Sequence, residues 1–289
     1  MTLQKTKKKV GLALGGGGAK GLAHIGVIKE LERMGIEISF ITGTSMGALV
    51  GAWYAATKDI KTLENLFLGV KKDNIFPIGR LIRRHDGNIF KDPIVPDFYE
   101  SHLDGITFDE CKIPFKAVAT DVKDGSQVIL SEGKIMDAVR ASTALPIMFN
   151  PVEIGGRILM DGGFVNPVPA DIAKEMGADI VIAVDVSSKW IDLSEMRFDV
   201  LHVSSLVVAA MSVVEFQVAK KVLHSSADVV LNPPVLSYSW LAFNNAKELI
   251  EYGQREAYAH RGEISKCTGH ALTKKSPFEA FMDFILYSD

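Results

Sequence analysis

Ser45 is the residue of this chain whose surroundings most clearly suggest nucleophilic chemistry. It lies at the centre of Gly43-Thr44-Ser45-Met46-Gly47, between a β-branched apolar run and an alanine-rich segment. A G-x-S-x-G segment between a strand and a helix forms a sharp turn that presents the serine hydroxyl. The sequence therefore predicts Ser45 as the nucleophile of an acyl-transfer reaction.

A run of glycines could hold an anion beside that serine. The segment Gly15–Gly21 follows the apolar run Val10–Leu14 and precedes an amphipathic, helix-like segment. Glycines leave room for a ligand at the backbone, and the free N–H groups of a helix start attract negative charge. The loop could therefore bind a phosphate or stabilise the oxyanion of an acyl-transfer transition state.

Nucleotide binding explains this loop less well. Gly16, Gly18 and Gly21 satisfy G-x-G-x-x-G, but a dinucleotide site also needs an acidic residue at the end of the second strand. That strand ends in Thr42-Gly43-Thr44, and the nearest acid, Glu37, precedes it. A phosphate loop of the Walker type fails as well, because no Lys-Ser or Lys-Thr pair follows the glycines. A nicotinamide-dependent or flavin-dependent oxidoreductase is therefore disfavoured.

Several side chains could act as the base that a serine nucleophile needs. Ser45, Asp185 and His202 have the order of an α/β-hydrolase triad, but His202 falls in an apolar, helix-like segment. His24 lies in the first helix, where a packing role is equally expected. Asp161, Asp121 and Asp185 each follow a strand-like run, and burial could raise the pKa of any of them. Position alone does not separate these three aspartates.

Short apolar runs alternate with helix-length segments along the whole chain. The best of the runs, "VGLAL" at 10–14 and "IVIAV" at 180–184, are continuously apolar, which is typical of strands covered on both faces. We expect a three-layer α/β/α fold with a mainly parallel central sheet. The predicted strands are Val10–Leu14, Ser39–Thr42, Phe115–Thr120, Gln127–Leu130, Val152–Ile154, Arg157–Met160, Ile180–Asp185 and Val229–Leu231.

The chain is expected to form one domain over residues 10–289, after a basic, flexible N-terminus at 1–9. Residues 71–105 are predicted to be an insertion and 187–289 a largely helical C-terminal portion. The 289 residues carry a net charge of −3 and only two cysteines, which argues against nucleic-acid binding and a disulfide framework. No stretch has the length of a signal peptide or a membrane span, so a cytoplasmic location is expected.

Three segments together resemble the patatin-like phospholipase family. They are Gly16–Gly21, Gly43–Gly47 and Asp161-Gly162-Gly163, and the similarity extends to "RASTALPIMFNPV" at 140–152 and "NPVP" at 166–169. The resemblance implies a patatin-like fold and a catalytic dyad of Ser45 and Asp161 without a histidine. It also implies an oxyanion hole at the glycine loop. The residues assigned to these roles or expected to support them are Ser45, Asp161, Gly16, Gly17, Gly18, Lys20, Gly21, Gly43, Gly47, Gly162 and Gly163.

The resemblance further implies lipid acyl hydrolysis of the phospholipase A or lysophospholipase type, with no metal and no cofactor. A carboxylesterase or thioesterase acting on single-chain substrates stays open, as does a non-catalytic lipid-binding module. The expected partner is a lipid or acyl ester. Lys5–Lys9 could contact a membrane surface peripherally, although a solvated terminus is the simpler interpretation. The apolar residues of 200–223 and 276–289 could line an acyl channel or belong to the core. The sequence does not indicate an oligomeric state.

Overall fold

The computed structural model describes residues 8–69, 97–146, 149–187 and 203–270. Within these ranges lie the strands β1 (Val10–Leu14), β2 (Ile38–Thr44), β3 (Phe115–Asp121), β4 (Gln127–Leu130), β5 (Val152–Ile154), β6 (Arg157–Asp161), β7 (Ile180–Val184) and β8 (Val229–Leu231). The helices are α1 (Ala23–Arg33), α2 (Met46–Thr57), α3 (Ile60–Gly69), α4 (Asp97–Leu103), α5 (Ile135–Ser142), α6 (Ala170–Glu175), α7 (Val203–Ser226), α8 (Ala246–Ala259) and α9 (Arg261–Thr268).

The strands form one sheet with the order β5-β6-β3-β2-β1-β7-β8, and β4 pairs with β3 outside this order. The pairs of β1 with β2 and β7, of β2 with β3, and of β7 with β8 are parallel. The hairpins at Asp124-Gly125 and Gly155-Gly156 join antiparallel strands, and both dipeptides are of a kind that favours a tight hairpin turn. The mainly parallel sheet is therefore confirmed, and all eight predicted strands are present.

Helices cover both faces of this sheet. Leu12 and Leu14 of β1 pack into a large core with α1, α2 and α8, whereas Ala13 faces a smaller core with α6 and α7. This alternation follows from the two-residue period of a strand. Helix α2 is apolar on nearly every side and is almost wholly buried, as expected for a helix at the centre of a domain. The three-layer architecture is confirmed.

Two glycines allow helices α1 and α8 to cross at backbone contact. A methyl group added at Gly26 would lie 1.8 Å from the carbonyl oxygen of Ile250, and one at Gly253 would lie 1.8 Å from that of Ala23. No side chain fits at either position. Because α1 follows the glycine loop directly, this crossing fixes where the loop ends.

Some sequence predictions fall outside the described residues. These are the N-terminus through residue 7, most of the predicted insertion at 71–105, His202 and the apolar segment 276–289. The helix-like segment at 245–261 forms α8, and α9 begins directly after His260. Within the described part of the chain, no helix combines the length and apolar character needed to cross a bilayer.

Candidate active site

Ser45 occupies a sharp turn between β2 and α2. Its φ of 54° lies in the left-handed region, which a serine rarely adopts, and its ψ is −121°. Glycines on both sides make the turn fit: a methyl group at Gly43 would lie 2.5 Å from the carbonyl oxygen of Gly47. This is the strained serine turn that the sequence predicts.

Asp161 is the carboxylate that the fold brings to Ser45. Ser45 Oγ donates a hydrogen bond of 2.7 Å to Asp161 Oδ2, across 116 residues of sequence. Asp161 Oδ1 accepts the N–H of Gly163 at 2.8 Å, and its backbone carbonyl accepts the hydroxyl of Thr120. Gly163 therefore fixes one carboxylate oxygen of Asp161 and Thr120 fixes its backbone, while the second carboxylate oxygen accepts from Ser45.

Burial makes Asp161 a stronger base than a carboxylate in water. Its side chain is 1% exposed, and this burial raises its pKa from 3.8 to about 6. The hydrogen bonds from Gly163 and Ser45 act in the opposite direction and are weaker. At neutral pH the carboxylate is ionised, yet its affinity for a proton is higher than in solution.

The other candidate bases have different partners. Asp121 Oδ1 accepts the N–H of Lys123 within the β3–β4 hairpin, and Asp185 Oδ1 accepts the N–H of Ser187. His24 Nε2 donates to the carbonyl oxygen of Gly15 at 2.7 Å, and burial lowers the pKa of His24 to about 4. His24 is therefore neutral and supports the glycine loop.

The glycine loop lies against Ser45. A methyl group at Gly16 would be 3.4 Å from the Cβ of Ser45, and Gly17 and Gly18 have φ values of 152° and 59°. The N–H of Gly16 donates to the carbonyl oxygen of Pro167 at 3.0 Å. The amide of Gly16 therefore already has a backbone acceptor in this structure, unlike the free oxyanion donor that the family resemblance implies at this position.

The segment Asn166–Pro169 accepts hydrogen bonds from the glycine loop and from the end of β2. Besides the bond from Gly16, the hydroxyl of Thr44 donates to the carbonyl of Asn166 and that of Thr42 to the carbonyl of Pro169. This segment carries part of the family resemblance. In the structure its carbonyl groups connect the end of β2 to the glycine loop.

Three side chains that the sequence did not single out also shape the site. Ser142 Oγ accepts the N–H of Ser45 and donates to the carbonyl of Val118. The indole of Trp240 packs on Gly18, and the backbone carbonyl of Trp240 accepts the N–H of Ala19. Glu215 of α7 is buried beside Gly16. All three come from segments far from Ser45 in sequence. Ser142 falls within the 140–152 segment of the family resemblance, whereas no local motif marks Glu215 or Trp240.

Lys20 is buried together with acidic groups. Its side chain is 4% exposed, and this burial lowers its pKa, while Glu215 and Asp185 raise it. Gly162 has a different reason to be a glycine, because a methyl group there would lie 2.3 Å from the carbonyl oxygen of Val118. Among the described residues, no group of three or more His, Cys, Asp and Glu side chains is arranged to hold a metal ion.

Loss of the Ser142 hydroxyl should destabilise the turn that carries Ser45. In Ser142→Ala, the N–H of Ser45 and the carbonyl of Val118 both lose a buried partner. We expect the free energy of unfolding in urea to fall by about 1–3 kcal/mol. Ser225→Ala is the matched control, because the Ser225 hydroxyl is exposed and its hydrogen bonds to described residues lie within its own helix. Equal stability of the two variants would contradict this role of Ser142.

Comparisons with known proteins identify the family of this chain. The family profile described as patatin-like phospholipase matches residues 12–174, which is more than half of the chain. Patatin-like phospholipase domain-containing protein 7 of Rattus norvegicus is 29% identical over 88% of this chain and 21% of its own length. An NTE family protein of Mycobacterium bovis is 36% identical over 62% of this chain and 49% of its own length.

The chain thus spans about a fifth of the first relative and half of the second. Among solved structures, VipD from Legionella pneumophila is 14% identical with a TM-score of 0.49, covering 91% of this chain and 67% of its own. The profile match includes the glycine loop, Ser45 and Asp161. The chain belongs to the patatin-like phospholipase family.

Proposed function

We propose that this chain hydrolyses fatty acyl esters of lipids through an acyl-enzyme on Ser45, with Asp161 as the general base. The observation that carries the proposal is the 2.7 Å hydrogen bond from Ser45 Oγ to the buried Asp161 carboxylate. A serine hydroxyl within this distance of a base can transfer its proton as it attacks. The family and the strained turn at Ser45 support the same reaction.

The first half of the reaction forms the acyl-enzyme. Asp161 Oδ2 takes the proton of Ser45 Oγ while the oxygen attacks the carbonyl carbon of the ester. Negative charge develops on the carbonyl oxygen, and in this proposal the N–H groups of Gly17 and Gly18 stabilise it. The bond from the carbonyl carbon to the leaving oxygen then breaks. Asp161 returns its proton to that oxygen, and the alcohol or lysolipid leaves.

The second half releases the fatty acid. Asp161 takes a proton from water as the water oxygen attacks the acyl-enzyme carbonyl, and the same donors hold the second oxyanion. The bond to Ser45 Oγ breaks, and the proton on Asp161 goes back to this oxygen. Both halves use one aspartate as base and then as acid, so no histidine is needed.

Fluorophosphonate labelling tests the nucleophile. We expect the probe to modify wild-type protein at Ser45, as mapped by mass spectrometry, and Ser45→Ala to lose both labelling and ester hydrolysis. Ser225→Ala, which removes an exposed hydroxyl, should label like wild type. A folded wild-type protein that is not labelled would favour the non-catalytic lipid-binding alternative. Full hydrolysis by folded Ser45→Ala would exclude Ser45 as the nucleophile.

The substrate class needs a separate measurement. Fatty acid release should be compared among phosphatidylcholine vesicles, lysophosphatidylcholine and a short p-nitrophenyl ester, each with wild type and Ser45→Ala. We expect Ser45-dependent release from at least one of the two phospholipids. Hydrolysis of the short ester alone would replace the proposal with a carboxylesterase or thioesterase.

A further inference from the structure

A cluster of four ionisable side chains is buried around the glycine loop. Their exposed fractions are 1% for Asp161, 4% for Lys20, 6% for Glu215 and 9% for Asp185. The proposed reaction uses Asp161, whereas Glu215 has no role in it. Buried carboxyl groups are costly unless they are neutral or paired, so the presence of a second one here calls for a physical reason.

Glu215 extends from α7 to the part of the loop that faces the nucleophile. The position that a methyl group on Gly16 would occupy is 3.6 Å from Glu215 Oε1 and 3.4 Å from Ser45 Cβ. The Glu215 carboxyl group and Ser45 therefore lie against the same short stretch of backbone. Any negative charge on Glu215 would be close to the oxyanion that the loop is proposed to hold.

The charged groups acting on Glu215 come from three other elements. Burial, followed by the carboxylates of Asp161 and Asp185, raises the pKa of Glu215 to about 8, while Lys20 acts in the opposite direction. Asp161 ends β6, Asp185 follows β7, and Lys20 lies in the glycine loop. At neutral pH, Glu215 is therefore protonated while Asp161 is ionised, so the two carboxyl groups divide into one acid and one base.

We propose that Glu215 is a positioning residue that sets the alkaline limit of the reaction, because the glycine loop can hold an oxyanion only while the neighbouring Glu215 carboxyl is neutral. The proposal rests on the proposed function. An ionised Glu215 would repel the developing oxyanion across a buried, low-dielectric site, where charge interactions are strong. It would also repel the carboxylate of Asp161. Protonated Glu215 does neither.

The pH dependence of kcat/KM tests this role through Glu215→Gln, which keeps the shape of the protonated side chain but does not ionise. In wild type, kcat/KM at pH 9 should be about a tenth of its value at pH 7, since one group with a pKa of about 8 must stay protonated. In Glu215→Gln this ratio should approach one. The fall in kcat/KM at acidic pH, which protonation of Asp161 causes, should remain. Glu251→Gln, an exposed change on α8, should keep the wild-type ratio.

Deprotonation of Lys20 is a competing cause of an alkaline limit, and the same variant separates the two. Because Glu215 raises the pKa of Lys20, its removal would move a limit set by Lys20 to lower pH. A limit set by Glu215 is instead abolished. A fall at lower pH in Glu215→Gln, or an unchanged profile, would overturn the proposal.

A second variant keeps the test available should Glu215→Gln fail to fold. Glu215→Met also removes the ionisable carboxyl group and replaces it with an apolar side chain of similar length. A limit set by Glu215 should again be absent, whereas a limit set by Lys20 would move to lower pH and would contradict the proposal. Failure of the proposed function is recognised separately, because wild type would then show no labelling at Ser45 at any pH.

Discussion

Asp161→Asn should lower kcat/KM for ester hydrolysis by about 10²–10⁴ while leaving the protein folded. The amide nitrogen would face Ser45 Oγ and donate to it, so the serine would accept a hydrogen bond where it now donates one. The amide oxygen can still accept the N–H of Gly163. The geometry of the turn is thus retained, and only the proton acceptor is lost.

Steady-state kinetics and the rate of fluorophosphonate labelling, measured at pH 8, check this prediction. Asp171→Asn is the matched control, because Asp171 accepts a hydrogen bond from Asn166 near the glycine loop without contacting Ser45 in any described hydrogen bond. That control should label at a rate close to wild type. Labelling of Asp161→Asn at the wild-type rate would mean that another group removes the proton of Ser45.

The pKa of Asp161 predicts the direction in which Asp161→Asn changes stability. The pKa of Asp161 is raised from 3.8 to about 6 in the folded protein, so the folded state binds more protons than the unfolded state between these values. Stability is therefore lost as the pH rises through about 6. Asparagine does not ionise, so the melting temperature of this variant at pH 8 should equal or exceed that of wild type. Lost activity without lost stability would separate catalysis from folding.

Local sequence patterns predict the elements of this fold whose conformation depends on residues that are neighbours in the chain. Continuous apolar runs mark β1 and β7, and the Gly43–Gly47 segment marks the strained turn at Ser45. Asp161 was not separable from Asp121 and Asp185 by position, and only the family resemblance singled it out. The structure separates them by their partners, since Asp161 alone of the three has a described hydrogen bond from Ser45.

The remainder of the site depends on contacts between distant segments. The carbonyl of Pro167 takes the N–H of Gly16, and α7 places Glu215 beside the same loop. Helix α7 is apolar over much of its length, so its sequence indicates burial but not which residue faces the site. Trp240 has no motif around it at all. Such residues become recognisable only when the sheet order is known.

Gly47→Ala should have the largest effect on stability of the changes considered, because Gly47 is where the two glycine motifs touch. A methyl group there would lie 2.1 Å from the carbonyl oxygen of Leu14 and 2.7 Å from that of Gly15. Both atoms are backbone, so a side-chain rotation cannot relieve the overlap. We expect a loss of about 3 kcal/mol in the free energy of unfolding in urea, at the upper end for overpacking.

Activity should fall together with stability in Gly47→Ala, because the added methyl group displaces Ser45. The start of α2 and the end of β1 must separate to admit the methyl group, which moves Ser45 away from the glycine loop. A displacement of about 1 Å at the reacting atoms can cost about 10²-fold in rate. Gly262→Ala is the control, since Gly262 lies in α9 with open space around it and should gain up to about 1 kcal/mol. Wild-type labelling by a stable Gly47→Ala protein would show that the contact between the two motifs is not required for the reaction.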